Sequence, residues 1–361
     1  MTTTRTRSLR RWGAVTAAVA AIALTACTAD SPGPTTTTVA PTANQASLSA
    51  AATWIDGAFS ADHWFPGFNP STPDPVNSAQ AIADLAALGR GSGSQSARLA
   101  RLAADAPSVT NDGAADVPGA LARMILAVVA TGGNPRSFAG TDLVARLEAT
   151  IQPDGRFGVQ YAAFDGSYRQ GLSLAALSVV TPRPASITPT VGHTINDVAP
   201  VAWLVHQQCS DASWMAFRSD TTTPCVEDPA TWTYKDSNGS AMAALGLTAV
   251  GATAPLDPTT WFMSVRGNDG GWGAFPAGAT TASDADSTGL VIAALEALGH
   301  APDESAYASL RSFQLGDAAP AAGRGAFFFQ PTNPSPNTYA TLDAVTALFD
   351  QTWPQALVPS H

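Results

Sequence analysis

The chain has 361 residues, of which 45% are hydrophobic and only 13% charged, against roughly 25% charged in an average globular protein. Its formal net charge is −10, so nucleic acid, whose binding needs a basic face, is excluded as a partner. The length allows a large core, and the many alanines predict closely packed helices.

The first residues have the pattern of an export signal. Four arginines are followed by an apolar run, Trp12–Ala26, which is too short to cross a bilayer comfortably. The run ends in Leu24-Thr25-Ala26-Cys27, which resembles the bacterial lipobox, whose cysteine becomes the lipid-modified first residue after cleavage. Residues 1–27 are therefore predicted to be a lipoprotein signal peptide with Cys27 as the lipidation site. Arg10-Arg11 leaves the twin-arginine export route open, although the flanking residues fit it poorly.

Residues 28–46 are rich in Thr, Pro and Ala and cannot bury enough apolar surface to fold, so they are predicted to be a disordered tether. Removal of the signal peptide leaves 14 basic against 28 acidic residues, a formal charge of −14. No other segment is long and apolar enough to span a bilayer. The chain is therefore predicted to be held by its lipid alone on the extracytoplasmic face of the cell membrane.

Two further cysteines, Cys209 and Cys225, lie close together in the sequence. In an oxidising compartment such a pair is most simply a disulfide, worth about 3 kcal/mol in the loop-entropy model. Metal binding is the alternative, but His206 is the only further ligand nearby, and a zinc site needs four.

One pattern recurs six times between residues 47 and 355. A first helix leads into a turn with Gly and an aromatic residue, and a second helix rich in Ala and Leu follows. The clearest example is Asn268–Gly299, where Asp269-Gly270-Gly271 predicts the turn, Trp272 follows, and helical spacing of apolar residues comes next. The predicted starts of the six second helices lie near Asn77, Pro118, Tyr168, Asp236, Asp286 and Asn337.

A repeat of roughly 40 to 60 residues indicates a stacked or closed array of helical hairpins. A single hairpin cannot bury its own Ala and Leu faces, so neighbouring hairpins must cover them. The second helices are apolar on nearly every side, which indicates that they are buried and favours closure into a ring. Six hairpins over residues 47–355 could form an open superhelix or a closed ring, and the predicted fold is all-α with the ring favoured.

Three of the repeats resemble a known family. Leu147–Gly158 (LEATIQPDGRFG), Trp261–Gly273 (WFMSVRGNDGGWG) and Leu310–Phe327 are similar to the repeats of squalene–hopene cyclases and protein prenyltransferase β subunits. The resemblance covers nearly all of residues 47–355 and implies an (α/α)6 toroid, with six inner helices, six outer helices and a central cavity.

Asp284-Ala285-Asp286-Ser287 stands where squalene–hopene type cyclases have an Asp-x-Asp-Asp acid motif. The resemblance implies that Asp286, with Asp284 beside it, is the general acid that protonates an alkene, which requires a carboxyl kept protonated in a dry cavity. Here Ser287 replaces the last aspartate, so the motif is incomplete.

Helix capping is the alternative interpretation of Asp286. Asn77, Asp236 and Asn337 occupy the corresponding place in three other repeats, and each precedes Ser or Thr. Four Asn or Asp residues at one helix start are typical of N-caps, each worth roughly 1 kcal/mol. Asp284 has no counterpart in the other repeats.

The aromatic residues divide into two sets. Those at equivalent places in the repeats are predicted to brace the outer helices: Trp64, Phe157, Trp214, Trp272 and Phe327. Those off the repeat are candidate lining residues of the cavity, with ordinary core packing as the alternative: Tyr161, Phe164, Phe217, Trp232, Phe275, Phe328 and Phe329.

No metal and no cofactor is predicted. His63, His193, His206 and His300 are scattered without metal-ligand spacing, and no phosphate loop or dinucleotide fingerprint occurs. Zinc-dependent prenyl transfer is rejected, because no Cys or His lies near Asp284 or Asp286.

The favoured function is binding of an apolar or isoprenoid-like small molecule in the central cavity, without catalysis. The single toroid, the incomplete acid motif and the extracytoplasmic location favour binding. A cyclase-like isomerase that uses Asp286 as its general acid, and a non-catalytic scaffold for protein interactions, remain the alternatives.

Overall fold

The computed structural model describes residues 42–158, 166–216, 218, 224–228, 230, 233–278 and 280–359. These residues form twelve α-helices, and their only extended pairings are isolated bridges. The helices are α1 (Ala43–Ala58), α2 (Pro75–Ala87), α3 (Gln95–Thr110), α4 (Pro118–Ala130), α5 (Leu143–Ala149), α6 (Ser167–Ser178), α7 (Ala199–His206), α8 (Ser237–Val250), α9 (Pro258–Ser264), α10 (Ala285–Ala297), α11 (Glu304–Ser312) and α12 (Thr338–Thr346).

The even-numbered helices form a closed inner ring. Each contacts the next even-numbered helix along the chain, and α12 contacts α2, while the odd-numbered helices pack outside. Polar contacts join the last hairpin to the first: Thr338 Oγ1 donates to the Gly67 carbonyl at 3.4 Å, and Gln314 Nε2 donates to the Ser47 carbonyl at 2.8 Å. The predicted (α/α)6 toroid is confirmed.

The toroid begins earlier than residue 47. Helix α1 starts at Ala43, because Thr42 and Gln45 form a capping box that satisfies its first backbone donors. The predicted signal peptide and Cys27 lie outside the described residues. None of the described helices is long and apolar enough to span a bilayer.

A buried aromatic residue attaches each of five inner helices to the preceding turn. In the best example, the Trp272 backbone N–H donates to Thr288 Oγ1 at 3.0 Å, and the Asp284 N–H donates to the Trp272 carbonyl at 2.9 Å. In the other four repeats the aromatic N–H likewise donates to a side chain four residues after the helix cap. These aromatic residues are Phe65, Phe157, Trp214 and Phe327.

The hydrogen bond from the aromatic backbone N–H shows which residues are equivalent in the repeats, and it corrects the alignment made from the sequence. The first repeat uses Phe65, which is fully buried, and Trp64 is not the equivalent residue. The outer helices are braced as predicted, since the Trp214 indole donates to the Leu204 carbonyl of α7 and the Trp272 indole to Phe262 of α9.

The corrected alignment also changes which residues are assigned as caps of the inner helices. Asp236 and Asn337 cap α8 and α12, as predicted. The interpretation of Asn77 and Asp286 as caps is wrong, because Asp74 caps α2 and Asp284 caps α10. Asp286 is instead the second residue of α10, inside the helix.

Cys209 and Cys225 form a disulfide, with their Cα atoms 5.6 Å apart, which confirms the predicted pair. The bond closes the segment between α7 and α8, much of which lies outside the described residues. It therefore ties this long insertion to the end of α7.

Helices α6 and α8 approach each other at backbone distance. A Cβ atom on Gly171 would lie 2.1 Å from the Met242 carbonyl oxygen, and one on Gly246 would lie 2.3 Å from the Gly171 carbonyl oxygen. Only glycine at these two positions allows the contact, so two small residues determine how tightly the ring closes here.

Candidate functional site

The first turns of the inner helices surround a pocket of about 380 Å³ at one end of the ring. This volume is within the range of small-molecule sites. Four inner helices each contribute their second and sixth residues, which lie one turn apart on the same helix face. These lining residues are Val76, Gln80, Gly119, Arg123, Tyr168, Leu172, Tyr339 and Asp343.

The pocket combines apolar walls with polar groups. Val109 and Val117 add to the apolar wall formed by Val76 and Leu172. On the polar side, the Arg123 Nη2 donates to the Tyr168 hydroxyl at 2.9 Å. Gln80 Nε2 donates to Asp343 Oδ1 at 3.4 Å across the junction between α2 and α12.

Two further carboxyl groups belong to this cluster. Asp84 lies one turn below Gln80 on α2, is 1% exposed, and its Oδ2 has no hydrogen-bond partner. Asp286, on α10, occupies the place that Tyr168 has in α6 and Tyr339 in α12. Its Oδ1 is buried and also has no hydrogen-bond partner.

The carboxyl groups of the cluster hold their protons more strongly than free aspartates. Burial raises the pKa of Asp286, and the nearby carboxyls of Asp343 and Asp284 raise it further. Burial also raises the pKa of Asp84 well above the usual value, and Arg123 opposes this only in part. The pKa of Asp343 is raised by burial too, against Arg123 and the hydrogen bond from Gln80. Such a cluster favours neutral carboxyls until an opposite charge arrives.

Asp284 has a different environment from Asp286. Its side chain accepts the Ser287 N–H at 2.7 Å and the Ala274 N–H at 3.0 Å, so both carboxyl oxygens are used in the cap. Burial raises its pKa to about 6 despite these hydrogen bonds. The structure thus separates the two predicted catalytic aspartates, giving Asp284 a capping position and Asp286 a place beside the pocket.

The three predicted aromatic lining residues that the structure describes do not line this pocket. Tyr161, Phe164, Phe217 and Trp232 lie outside the described residues. Phe275 is 48% exposed and packs on Tyr234, and Phe328 packs on Phe313.

Phe329 lines a second recess of about 760 Å³, between the end of α1 and the loop before α12. This recess is larger than the ring pocket, but it contains none of the buried carboxyls. We therefore place the candidate site in the ring pocket, where perturbed titratable groups and a concave surface coincide.

Sequence reasoning missed the polar residues of the site, namely Gln80, Asp84, Arg123 and Asp343. Their signal is present in the sequence: Gln80 and Asp84 stand four residues apart in a helix that, apart from Asn77 in its first turn, is composed of small and apolar residues. Arg123 is likewise the only charged residue of α4. Polar groups at one face of a buried helix must meet each other or a ligand.

Nothing in the described residues forms a metal site, since no group of three or more His, Cys, Asp or Glu side chains there could hold an ion. The cluster offers carboxyls, two guanidinium groups and two phenol hydroxyls. It can bind a polar group, and it can hold a proton at Asp286.

No protein-family model and no curated protein matches this sequence. Solved structures do match it. The type II terpene cyclase MstE from Scytonema has a TM-score of 0.54 and 14% identity, with 84% of this chain and 96% of that chain covered. A variant of MstE in complex with geranylgeranyl dihydroxybenzoate has a TM-score of 0.52 at 14% identity and the same coverage.

A protein from Actinoplanes has a TM-score of 0.52 and 13% identity, with 84% of this chain and 98% of that chain covered. At such low identity the likeness concerns architecture and not chemistry. The chain has the α/α-toroid fold that is also found in a type II terpene cyclase.

Proposed function

We propose that the protein binds an amphipathic small molecule in the ring pocket, with its apolar part against the valine and leucine wall and its polar end against Arg123 and Asp343. The observation that carries this is the presence of both surfaces in one pocket of ligand size. A wholly apolar ligand fits less well, because it would leave the polar groups without partners, at a cost of about 1–3 kcal/mol each.

An isoprenoid with a polar head group has this chemistry. The MstE complex supports such a ligand by analogy, since its substrate, geranylgeranyl dihydroxybenzoate, has both a long apolar chain and a polar end. The analogy concerns the ligand class alone.

Filling the pocket is expected to abolish binding. Val76 lies at the pocket wall and is half-buried, so Val76→Trp places a large side chain in the cavity at the start of α2. Native mass spectrometry of protein purified from its own host should show a bound mass on the unmodified protein and none on Val76→Trp. Val191→Trp is the control, since Val191 is fully exposed. If a bound mass is still found on Val76→Trp, the ligand binds outside the ring pocket.

A cyclase-like isomerase is the second candidate, and the environment of Asp286 favours it. A carboxyl that keeps its proton and has an unused oxygen can donate that proton to an alkene carbon, after which ring closure and loss of a proton give an isomer.

For this candidate, Asp286→Asn is expected to stop conversion of geranylgeranyl dihydroxybenzoate and to leave the melting temperature nearly unchanged, because Asp286 is not a helix cap. Product analysis by mass spectrometry checks this. If the unmodified protein converts nothing, the catalytic candidate is lost and the binding proposal remains. If the variant converts as well, Asp286 is not the acid.

We also propose that the protein is a lipoprotein, anchored through Cys27 on the extracytoplasmic face of the cell membrane. The basic and apolar segment and its lipobox-like end support this. Membrane fractionation of a Cys27→Ser chain is the corresponding measurement.

A further inference from the structure

The charged groups around the ring pocket do not balance. Asp343 of α12 lines the pocket, the buried carboxyls of Asp84 on α2 and Asp286 on α10 interact with it, and the two guanidinium groups come from α4 and α6. Helix α8 contributes no titratable side chain beyond its cap. Among the described residues, the titratable groups facing the cluster are Asp74, which accepts the Tyr339 hydroxyl at 2.9 Å, and Asp84, Arg123, Tyr168, Arg169, Asp236, Asp284, Asp286, Tyr339 and Asp343.

The carboxyls are also poorly paired. Asp84, Asp286 and Asp343 take part in none of the ion pairs within 4.0 Å that the described residues form. Asp84 Oδ2 and Asp286 Oδ1 are buried and accept no hydrogen bond. Buried oxygens without donors are costly, and a folded protein normally retains them only where something else supplies the donors.

We propose that the ligand of the ring pocket carries a positively charged nitrogen, as in an alkylamine, which binds between Asp286 and Asp343 while its apolar part lies on the Val76 and Leu172 wall. This deepens the proposed function and rests on it. An ammonium group has three N–H donors and no acceptor, so it supplies the donor that Asp286 Oδ1 lacks and adds a second hydrogen bond to Asp343, which among the described residues accepts only the long one from Gln80.

An anionic head group suits the pocket less well. Arg123 already donates to Tyr168, and its charge is shared between Asp84 and Asp343. A carboxylate or phosphate placed there would also face Asp286 and Asp343, so it is tolerated only while both carboxyls keep their protons, whereas a cation pairs with their ionised forms. Like charges at short range in a desolvated site repel strongly.

Proton release should accompany binding of the cation. In the empty pocket the carboxyls retain protons, and an ammonium group favours their ionised forms, so binding displaces protons to solvent. The affinity for an amine is therefore expected to increase as the pH rises above the ordinary aspartate range, while the amine itself stays charged.

The test compares three probes with one tail: decylamine, decanol and decanoate, each titrated calorimetrically into the full protein below its micelle concentration. We expect decylamine to bind at least about tenfold more tightly than the other two, a difference of about 1.4 kcal/mol. Titration in two buffers of different ionisation enthalpy should show proton release with decylamine and none with decanol.

Variants distinguish the effect of the carboxyl charges on binding from the effect of the shape of the pocket. Asp286→Asn and Asp343→Asn should each weaken decylamine several-fold and leave decanol unchanged, and Asp317→Asn, at an exposed site, should change neither. If decanol or decanoate binds as tightly as decylamine, and Val76→Trp blocks it, the cation inference is overturned and the binding function survives. If no probe binds, both fail.

Discussion

Gly246→Ala is expected to lower the free energy of unfolding by about 3 kcal/mol or more, because the new methyl group meets backbone and not a movable side chain. Its Cβ would lie 2.3 Å from the Gly171 carbonyl oxygen, and Gly171→Ala would place a Cβ 2.1 Å from the Met242 carbonyl oxygen. Either change forces α6 and α8 apart, and this distorts the ring. Urea unfolding followed by circular dichroism measures the effect.

Gly57→Ala provides the matched control. Gly57 is also a helical glycine, in α1, but a Cβ there has no neighbour within 4 Å. Alanine at this site should stabilise the protein slightly, by up to about 1 kcal/mol, through helix propensity. If Gly246→Ala and Gly57→Ala have the same effect, the close approach of α6 and α8 is wrong.

The protein is expected to be more stable near about pH 4.5 than near about pH 7.5, which is the reverse of most proteins' acid sensitivity. Asp284 and Asp236 are inner-helix caps, and burial raises the pKa of each to about 6 from the ordinary 3.8. Between these values the folded chain binds more protons than the unfolded chain, so stability falls as pH rises through the window. For Asp284, which is 1% exposed, the loss is about 3 kcal/mol.

Urea unfolding at several pH values checks this dependence. Asp284→Asn should flatten it, because asparagine keeps the capping oxygen but cannot ionise. Asp317→Asn, at the surface, should leave it intact. Asp116 has the opposite effect on stability, because its hydrogen bond with Arg146 lowers its pKa. The stability that Asp116 contributes is lost only as the pH falls below the ordinary aspartate range. A stability that rises between about pH 4 and about pH 6 would contradict the burial of the two caps.

The toroid was implied by the resemblance of three repeats to a known family. The repeat pattern itself was sufficient for the six hairpins, because Trp272 and its equivalents mark the same turn in five of them, and the apolar second helices favoured closure. It was not sufficient for the helix starts. Asp286 was aligned with Asp236 by residue type, whereas the true equivalence follows from the hydrogen bond between Trp272 and Thr288. The alignment by residue type is therefore off by two residues. It makes Asp286 an apparent cap, whereas Asp286 lies inside α10, beside the ring pocket.

The site itself was less accessible to sequence reasoning. Asp84, Arg123 and Asp343 come from three helices far apart in the chain, and only ring closure brings them together. Asp343 and Gln80 are neighbours because the last hairpin contacts the first. The spacing of residues along the chain does not show which side chains meet at that junction. The polar cluster could therefore not be predicted from sequence spacing alone.

A closed ring has no terminal repeat. In linear helical arrays the end units are the weakest and open first, and they need special polar caps. Here Gly325, in the last turn, lies so close to α1 that a Cβ on it would be 2.3 Å from the Ala50 carbonyl oxygen. No hairpin can therefore fray alone, and excising any one of the six would expose two apolar faces at once. Evolution of this chain by gain or loss of single hairpins is correspondingly disfavoured.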